Sequence, residues 1–197
     1  MNLMSYSESA ESPVVLPFAH PLDEFYAQAG LALPPIDAIP AGQMPQPYQQ
    51  LLVHEGDMTP TLEKFHGSAI HLDVLRREQR GDFYFREVAL VTDARNEKVE
   101  FGAIKIYLAL FPRGARNQIL AETLPLGTIL AKYEIAHTSR PKAFLRVRSD
   151  NFINGVFDLR GAHSLYGRRN TLSNPDGHAL AEIVEVLPPA RPAHGSH

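Results

Sequence analysis

The sequence contains no cysteine. The chain therefore forms no disulfide and offers no thiolate for catalysis, and it suits a reducing compartment, so we expect a cytoplasmic protein. No apolar stretch approaches the roughly 20 residues that a membrane-spanning helix needs, which predicts no membrane span. The N-terminus also lacks a basic segment followed by an apolar run, and no secretory signal is expected.

Excess charge of one sign is also missing. Nineteen Lys and Arg face 22 Asp and Glu, the net charge is −3, and no long basic block occurs. Because non-specific nucleic-acid binding depends on clustered positive charge, we expect no nucleic-acid partner. The glycine spacings of a phosphate-binding loop or a dinucleotide fingerprint are absent, and no cofactor is expected.

The nine histidines do not form a recognisable metal motif. His66 and His71 lie on either side of a glycine and share no regular face. His71 and Asp73 fall on one face of a predicted strand, but a third ligand at a typical spacing is missing. We therefore expect ordinary surface or core histidines and no metal site.

Proline divides the chain into regions. Half of the 16 prolines lie between Pro13 and Pro47, which predicts a mainly irregular arm over residues 1–47 with one short helix at 22–29. Residues 48–190 are predicted to form one domain, as the length of 197 residues allows. Residues 191–197 are predicted to be a flexible tail.

The pattern of the domain indicates an α+β fold with a single antiparallel sheet, because strands follow one another through turns and helices come in blocks. Asp57 or Thr59 can cap a helix that Pro60 suits and Gly67 ends. Period-two alternation predicts strands over residues 68–75, 83–91, 99–110, 143–147, 166–172 and 179–187. Helices are predicted over residues 57–65, 115–122 and 126–133.

One strand carries an arginine among apolar and aromatic residues: FYFREVALV, residues 83–91. Alternation places Arg86 on the same face as Tyr84, Val88 and Leu90, and Glu87 on the other face. An unpaired buried charge costs several kcal/mol, so Arg86 needs a partner. That partner is either a protein carboxylate or an anionic ligand.

Two glutamates in the last strand are candidates for the same region. Glu182 and Glu185 are three residues apart and point to opposite faces, so one of them can lie among apolar side chains. A desolvated carboxylate is a candidate acid or base with a raised pKa. In the alternative interpretation, one glutamate pairs with Arg86 and the other is solvated. The adjacent Arg168 and Arg169 are expected to be a solvated pair.

Five short segments follow one another along the chain: DMT (57–59), FREVAL (85–90), LPLG (124–127), LYGRRN (165–170) and the ending EVLPP (185–189). Taken in this order they resemble the chorismate lyase family, whose members form 4-hydroxybenzoate and pyruvate from chorismate. The resemblance covers about residues 50–190. It implies a single antiparallel sheet with helices on one side and helical flaps, here near residues 57–65 and 115–130, over a buried ligand pocket.

The resemblance also implies roles for particular residues. Arg86 would bind the ring carboxylate, and a guanidinium suits this role because it can donate two parallel hydrogen bonds. Substrate-binding backbone N–H groups would come from Met58 and Leu126, with Gly127 permitting a tight turn. Glu185 would face the ring hydroxyl as the second catalytic residue. Glu182 remains a rival for that role.

The resemblance accordingly predicts a carbon–oxygen lyase of ubiquinone biosynthesis that eliminates pyruvate from chorismate. The alternative is a catalytically silent domain that binds a small aromatic carboxylate, related to the sensor domains of bacterial transcription regulators. A plain interaction protein is a third interpretation, favoured only by the proline-rich arm.

Overall fold

The structure is a computed structural model that describes residues 18–190. Within that range, seven strands form one sheet in which every neighbouring pair is antiparallel. The strands are β1 (Ile36–Ile39), β2 (Ile70–Arg80), β3 (Phe83–Thr92), β4 (Lys98–Tyr107), β5 (Thr138–Arg148), β6 (Ser164–Ser173) and β7 (Ala179–Leu187). Their order across the sheet is β1-β5-β6-β7-β4-β3-β2.

The helices of the described chain lie on both faces of this sheet. They are α1 (Leu22–Gln28), α2 (Tyr48–Leu52), α3 (Met58–His66), α4 (Arg113–Ala121), α5 (Leu126–Lys132) and α6 (Asn151–Phe157), with 3-10 turns at Ala41–Gln43 and Leu108–Leu110. Apolar residues of α1 and α6 pack on one face, with Phe101 and Val184. The other four helices cover the opposite face, which we call the pocket face.

The predicted fold class is therefore confirmed: an α+β fold with one antiparallel sheet, helices packed on one side and helical segments over the other. Alternation in β3 also holds, since Arg86 lies on the pocket face and Glu87 is buried on the other. Helix α3 begins after Asp57 and ends at Gly67, whose φ of 61° is the left-handed conformation that glycine adopts at little cost.

Some elements differ from the sequence expectations. Strand β2 continues to Arg80, and its last five residues are mostly charged because β2 is an edge strand with little apolar cover. Helix α6 was not predicted, although Asp150 caps it by accepting a hydrogen bond from the Ile153 N–H at 2.8 Å. Its apolar residues Phe152, Ile153, Val156 and Phe157 do have helical spacing, but seven residues are fewer than the roughly 11–18 over which a helical period is usually recognised.

The proline-rich segment contributes to the sheet. Helix α1 lies where a short helix was predicted. Strand β1 was not predicted, and it pairs with β5 at the edge of the sheet opposite β2. Four residues among prolines are too short a run for alternation to be visible. The first 17 residues and the predicted tail at 191–197 lie outside the described residues.

Candidate functional site

A cavity of about 60 Å³ lies between the pocket face and the first residues of α3 and α5. Its floor comes from β2, β3, β4, β6 and β7, and its roof from Asp57, Met58, Leu126 and Gly127. Apolar side chains of Leu72, Val88, Leu90, Ile104, Leu172 and Ile183 form most of the wall. A mostly apolar cavity with a few converging polar groups is the usual form of a small-molecule site.

Arg86 is the cation of this cavity. Arg86 is 2% exposed, and its Nε and Nη1 atoms have no hydrogen-bond partner among residues 18–190. Burial lowers the pKa of Arg86 to about 10, while Tyr84 and Glu122 act in the opposite direction, so the guanidinium stays charged at neutral pH. Glu122 does not form an ion pair with Arg86, because its carboxylate accepts hydrogen bonds from Tyr84 and Arg77.

Glu185 lines the same cavity but is bound to another arginine. Its Oε2 accepts a hydrogen bond from Nε of Arg168 at 2.5 Å, and both side chains are buried. Arg168 also donates to the carbonyl oxygens of His54 at 3.0 Å and Gly56 at 3.1 Å. The expectation that Arg168 is solvated is therefore wrong, as is the interpretation in which Glu185 pairs with Arg86. One buried side chain connects the sheet to the loop before α3.

Glu182 lies on the other face of the sheet, outside the cavity. Its carboxylate accepts from Arg169 at 3.1 Å and lies 3.6 Å from Lys105 Nζ. Of the two glutamates that the sequence left open, only Glu185 lines the cavity, since residues three apart on a strand point to opposite faces.

Met58 and Leu126 are the first residues of α3 and α5, and both line the roof. First-turn N–H groups of a helix have no partner within the helix. Asp57 occupies the N-cap position of α3, yet its side chain makes no capping bond. Instead, both carboxylate oxygens lie within hydrogen-bond distance of His137 Nε2, at 3.1 and 3.0 Å.

Gly127 has a different role from the tight turn that the sequence suggested. It is the second residue of α5, and a Cβ built there would lie 3.4 Å from Oγ1 of Thr59. A Cβ at that distance would make an ordinary van der Waals contact, so Gly127 lies where the first turns of α5 and α3 are close to each other over the cavity.

Sequence reasoning missed Glu100. This β4 residue lines the cavity and is 4% exposed, and its Oε2 has no hydrogen-bond partner in the part of the chain that the structure describes. Burial raises its pKa well above the usual carboxyl value, and the charge of Glu185 adds to this increase. A signal was present, because Glu100 alternates with Gly102, Ile104 and Ile106 on a predicted strand.

Among the described residues, the site thus combines a guanidinium with two unpartnered nitrogens, a carboxyl group with one unpartnered oxygen and one internal ion pair. Pocket volumes for drug-sized ligands are about 300–1,000 Å³, so the cavity of about 60 Å³ corresponds to a closed state. Within residues 18–190, no three potential metal ligands converge and no helix is long and apolar enough to cross a membrane.

Comparison with known proteins finds likeness in structure alone. No protein-family model matches the chain, and no curated protein does. PhnF from Mycobacterium smegmatis is 12% identical with a TM-score of 0.54, and the match covers 68% of this chain but only 64% of PhnF. The effector domain of PhnF matches with 12% identity and a TM-score of 0.51, over 67% of this chain and 88% of that domain.

A third structure is a GntR-family transcriptional regulator from Bacillus cereus, with 13% identity, a TM-score of 0.45, and coverage of 65% of this chain and 97% of the regulator. At these identities the likeness establishes the fold. It is the chorismate lyase-like antiparallel sheet, which this chain shares with PhnF and its effector domain.

The prediction of an active chorismate pyruvate-lyase is wrong. The solved structures that share this fold with a TM-score above 0.5 include PhnF and its effector domain, and this finding contradicts the expected lyase. The geometry is consistent with this correction, because Glu185, the residue expected to act beside Arg86, already forms an ion pair with Arg168. The predicted role in ubiquinone biosynthesis depended on the lyase activity and has no support either.

Proposed function

We propose that this chain is a small-molecule sensor domain that binds a small carboxylate, in the manner of the effector domains of transcription regulators. The observation that carries the proposal is Arg86, a buried guanidinium that lines a cavity and has two nitrogens without a partner in the described chain. Leaving such a charge unpaired costs several kcal/mol. A ligand carboxylate removes that cost on binding.

The remaining carboxylate contacts would come from the roof. Met58 and Leu126 each begin a helix over the cavity, and their N–H groups have no partner within the helix. The side chain of Asp57 is engaged by His137, so it does not compete for the N–H groups of α3. The carboxylate would therefore lie between Arg86 and the two helix starts, with Gly127 as part of the roof.

The rest of the ligand would contact the apolar walls. Leu72, Val88, Ile104 and Ile183 surround the space beyond Arg86, and apolar contact there contributes about 25 cal/mol per Å² of buried area. A planar aromatic acid fits this combination of one anionic end and an apolar body. We therefore propose a single-ring aromatic carboxylate as the ligand class.

The domain would act in the cytoplasm and would not contact nucleic acid itself. The net charge of −3 and the lack of a basic block favour this proposal. In a regulator, another domain or partner would contact DNA, and this domain would report whether the ligand is bound.

Isothermal titration calorimetry with benzoate and 4-hydroxybenzoate tests the proposal. We expect the unaltered protein to bind at least one acid and Arg86→Met to weaken binding by at least tenfold, because charge-assisted hydrogen bonds contribute about 1.5–3 kcal/mol. Arg146→Met is the matched control, since Arg146 is half exposed and pairs with Asp37 away from the cavity. No binding by the unaltered protein, or equal binding by Arg86→Met, contradicts the proposal.

A further inference from the structure

Glu100 lies at the other end of the cavity from Arg86. Across the β3–β4 pair, Arg86 is opposite Ile104 and Glu100 is opposite Leu90, so the two residues are four positions apart along the strands. At about 3.4 Å per residue this is about 13 Å between backbone positions. Both side chains line the cavity between them.

The carboxyl group of Glu100 extends toward Arg86 over Gly102. A Cβ built on Gly102 would lie 3.2 Å from Oε1 of Glu100, so this glycine provides the space that the carboxyl group uses. Gly102 is two residues nearer than Glu100 to the position opposite Arg86, so the carboxyl group lies on the side of Glu100 that faces the arginine. The apolar side chains of Val88 and Ile104 line the cavity in the same stretch of the two strands.

Within residues 18–190, no cation forms an ion pair with Glu100. Arg168 acts to lower the pKa of Glu100 but is itself bound to Glu185 and to backbone carbonyl oxygens. Glu185 also lies directly across β4 and β7 from Gly102, so its charge disfavours a second carboxylate beside it. Burial and this neighbour together raise the pKa of Glu100, which favours the protonated carboxyl group that can donate a hydrogen bond.

We propose that Glu100 is a specificity-determining residue, acting as a neutral hydrogen-bonding group that recognises an uncharged hydroxyl or carbonyl at the far end of the ligand. This inference rests on the proposed function, in which Arg86 binds the carboxylate at the near end. The site then prefers monoanions with a polar, uncharged far end. An acid without that group leaves Oε2 of Glu100 unpaired, and burying such a group without a partner weakens binding.

Dicarboxylates are disfavoured for an electrostatic reason. A second carboxylate at the far end would face Glu100 and Glu185, and the single free guanidinium is at the opposite end. Arg168 already pairs with Glu185, so its positive charge does not compensate a second carboxylate on the ligand.

Titration calorimetry with three probes tests the inference: benzoate, 4-hydroxybenzoate and terephthalate. We expect the unaltered protein to bind 4-hydroxybenzoate about tenfold more tightly than benzoate, and terephthalate more weakly than benzoate. Glu100→Gln, which stays neutral and keeps a donor and an acceptor, should retain the preference for the hydroxyl. Glu100→Leu should bind benzoate and 4-hydroxybenzoate with equal affinity.

The outcomes separate this inference from the proposed function. If the unaltered protein binds benzoate and 4-hydroxybenzoate equally, or prefers terephthalate, Glu100 has no such role while the function of Arg86 stands. A preference that survives in Glu100→Leu overturns the inference in the same way. If none of the three acids binds, the proposed function fails and this inference fails with it. The probe series on the unaltered protein decides the matter even if Glu100→Leu does not fold.

Discussion

Two buried arginines on the same face of the sheet differ in their surroundings. Arg168 on β6 pairs with Glu185 and donates to carbonyl oxygens of the loop before α3. Arg86 on β3 has two guanidinium nitrogens without a partner among residues 18–190. Both are almost fully buried, so burial alone does not distinguish them.

The difference shows how the same residue type serves structure in one place and binding in another. A buried charge with a carboxylate and several carbonyl partners holds elements together, and removing it leaves those partners unsatisfied. A buried charge without partners lowers stability and is retained where a ligand can satisfy it. On this reasoning we assign Arg168 a positioning role, and Arg86 is the residue that we propose binds the ligand.

The largest expected effect comes from Arg168→Met. This change removes the charge beside Glu185 and the donors to His54 and Gly56, and we expect the free energy of unfolding to fall by about 3–5 kcal/mol. Urea denaturation followed by circular dichroism measures this loss. The exposed Arg146→Met should cost less than about 1 kcal/mol, and a similar small loss for Arg168→Met would mean that its contacts do not hold the loop.

Two buried carboxyl groups differ in charge pairing, because Arg76 Nε lies 3.1 Å from Oε2 of Glu87 as an ion pair, whereas Glu100 has no ion pair within the described chain. Neither oxygen of Glu87 has a hydrogen-bond partner there, and Oε2 of Glu100 has none either. Burial raises the pKa of Glu87 from 4.5 to about 7, with Arg76 acting in the opposite direction. A carboxyl group that holds its proton more strongly when folded makes stability fall as pH rises between its unfolded and folded pKa values.

We therefore expect the free energy of unfolding to fall by up to about 3 kcal/mol between pH 4.5 and 7 on account of Glu87. In Glu87→Gln this part of the pH dependence should be absent, and Glu100→Gln should reduce the slope in the same direction. Urea denaturation at a series of pH values measures both. Unchanged slopes in both variants would show that neither group binds a proton on folding.

Arg86→Met should change stability in the opposite direction from the same substitution at Arg168. Because an apolar side chain replaces an unpaired charge, we expect the unfolding free energy to rise by about 1–2 kcal/mol while ligand affinity is lost. The two matched substitutions, measured under identical conditions in urea, give the sharpest form of the comparison. A loss of stability at both positions would mean that Arg86 is structural as well.

The smallest effect is expected at the contact between Asp57 and His137, which joins the start of α3 to the segment after α5. Burial lowers the pKa of His137, but the Ile135 carbonyl and the charge of Asp57 outweigh it, so the net pKa is raised. The contact therefore adds stability at low pH that is lost as pH rises through the folded pKa.

His137→Ala should cost less than about 1 kcal/mol near pH 6 and almost nothing near pH 9. Because the contact lies at the edge of the roof, His137→Ala should also release benzoate faster than the unaltered protein in stopped-flow displacement. Arg146→Met is the matched control and should release benzoate at the unaltered rate. If His137→Ala releases benzoate at the rate of the unaltered protein, the contact between Asp57 and His137 does not control ligand release.

Much of the sheet was predictable because its signals are local. Strand β7 was predicted over the residues that form it, and alternation placed Arg86 and Glu87 on the correct faces of β3. Capping chemistry located α3 between Asp57 and Gly67. Strand β1 and helix α6 escaped prediction because a short edge strand and a short helix gain their stability from the elements they contact.

The site was predictable only in part. Five residues that the sequence indicated line one cavity: Arg86, Glu185, Met58, Leu126 and Gly127. Glu100 was not indicated, although it alternates with Ile104 and Ile106 on a predicted strand, because alternation alone does not show that a glutamate is buried. The pairing of Glu185 with Arg168 was also missed, since choosing between two arginines requires the order of the strands.

The sequence by itself determined the fold class, the face on which each strand residue lies and the presence of a cation among apolar side chains, because these follow from the two-residue period of a strand. Only the tertiary structure decided which charges meet. Strand β6 lies next to β7 and β3 next to β4, so Glu185 reaches Arg168 while Arg86 stays unpaired. That pairing depends on contacts between distant segments, and it makes Arg86 available to a ligand.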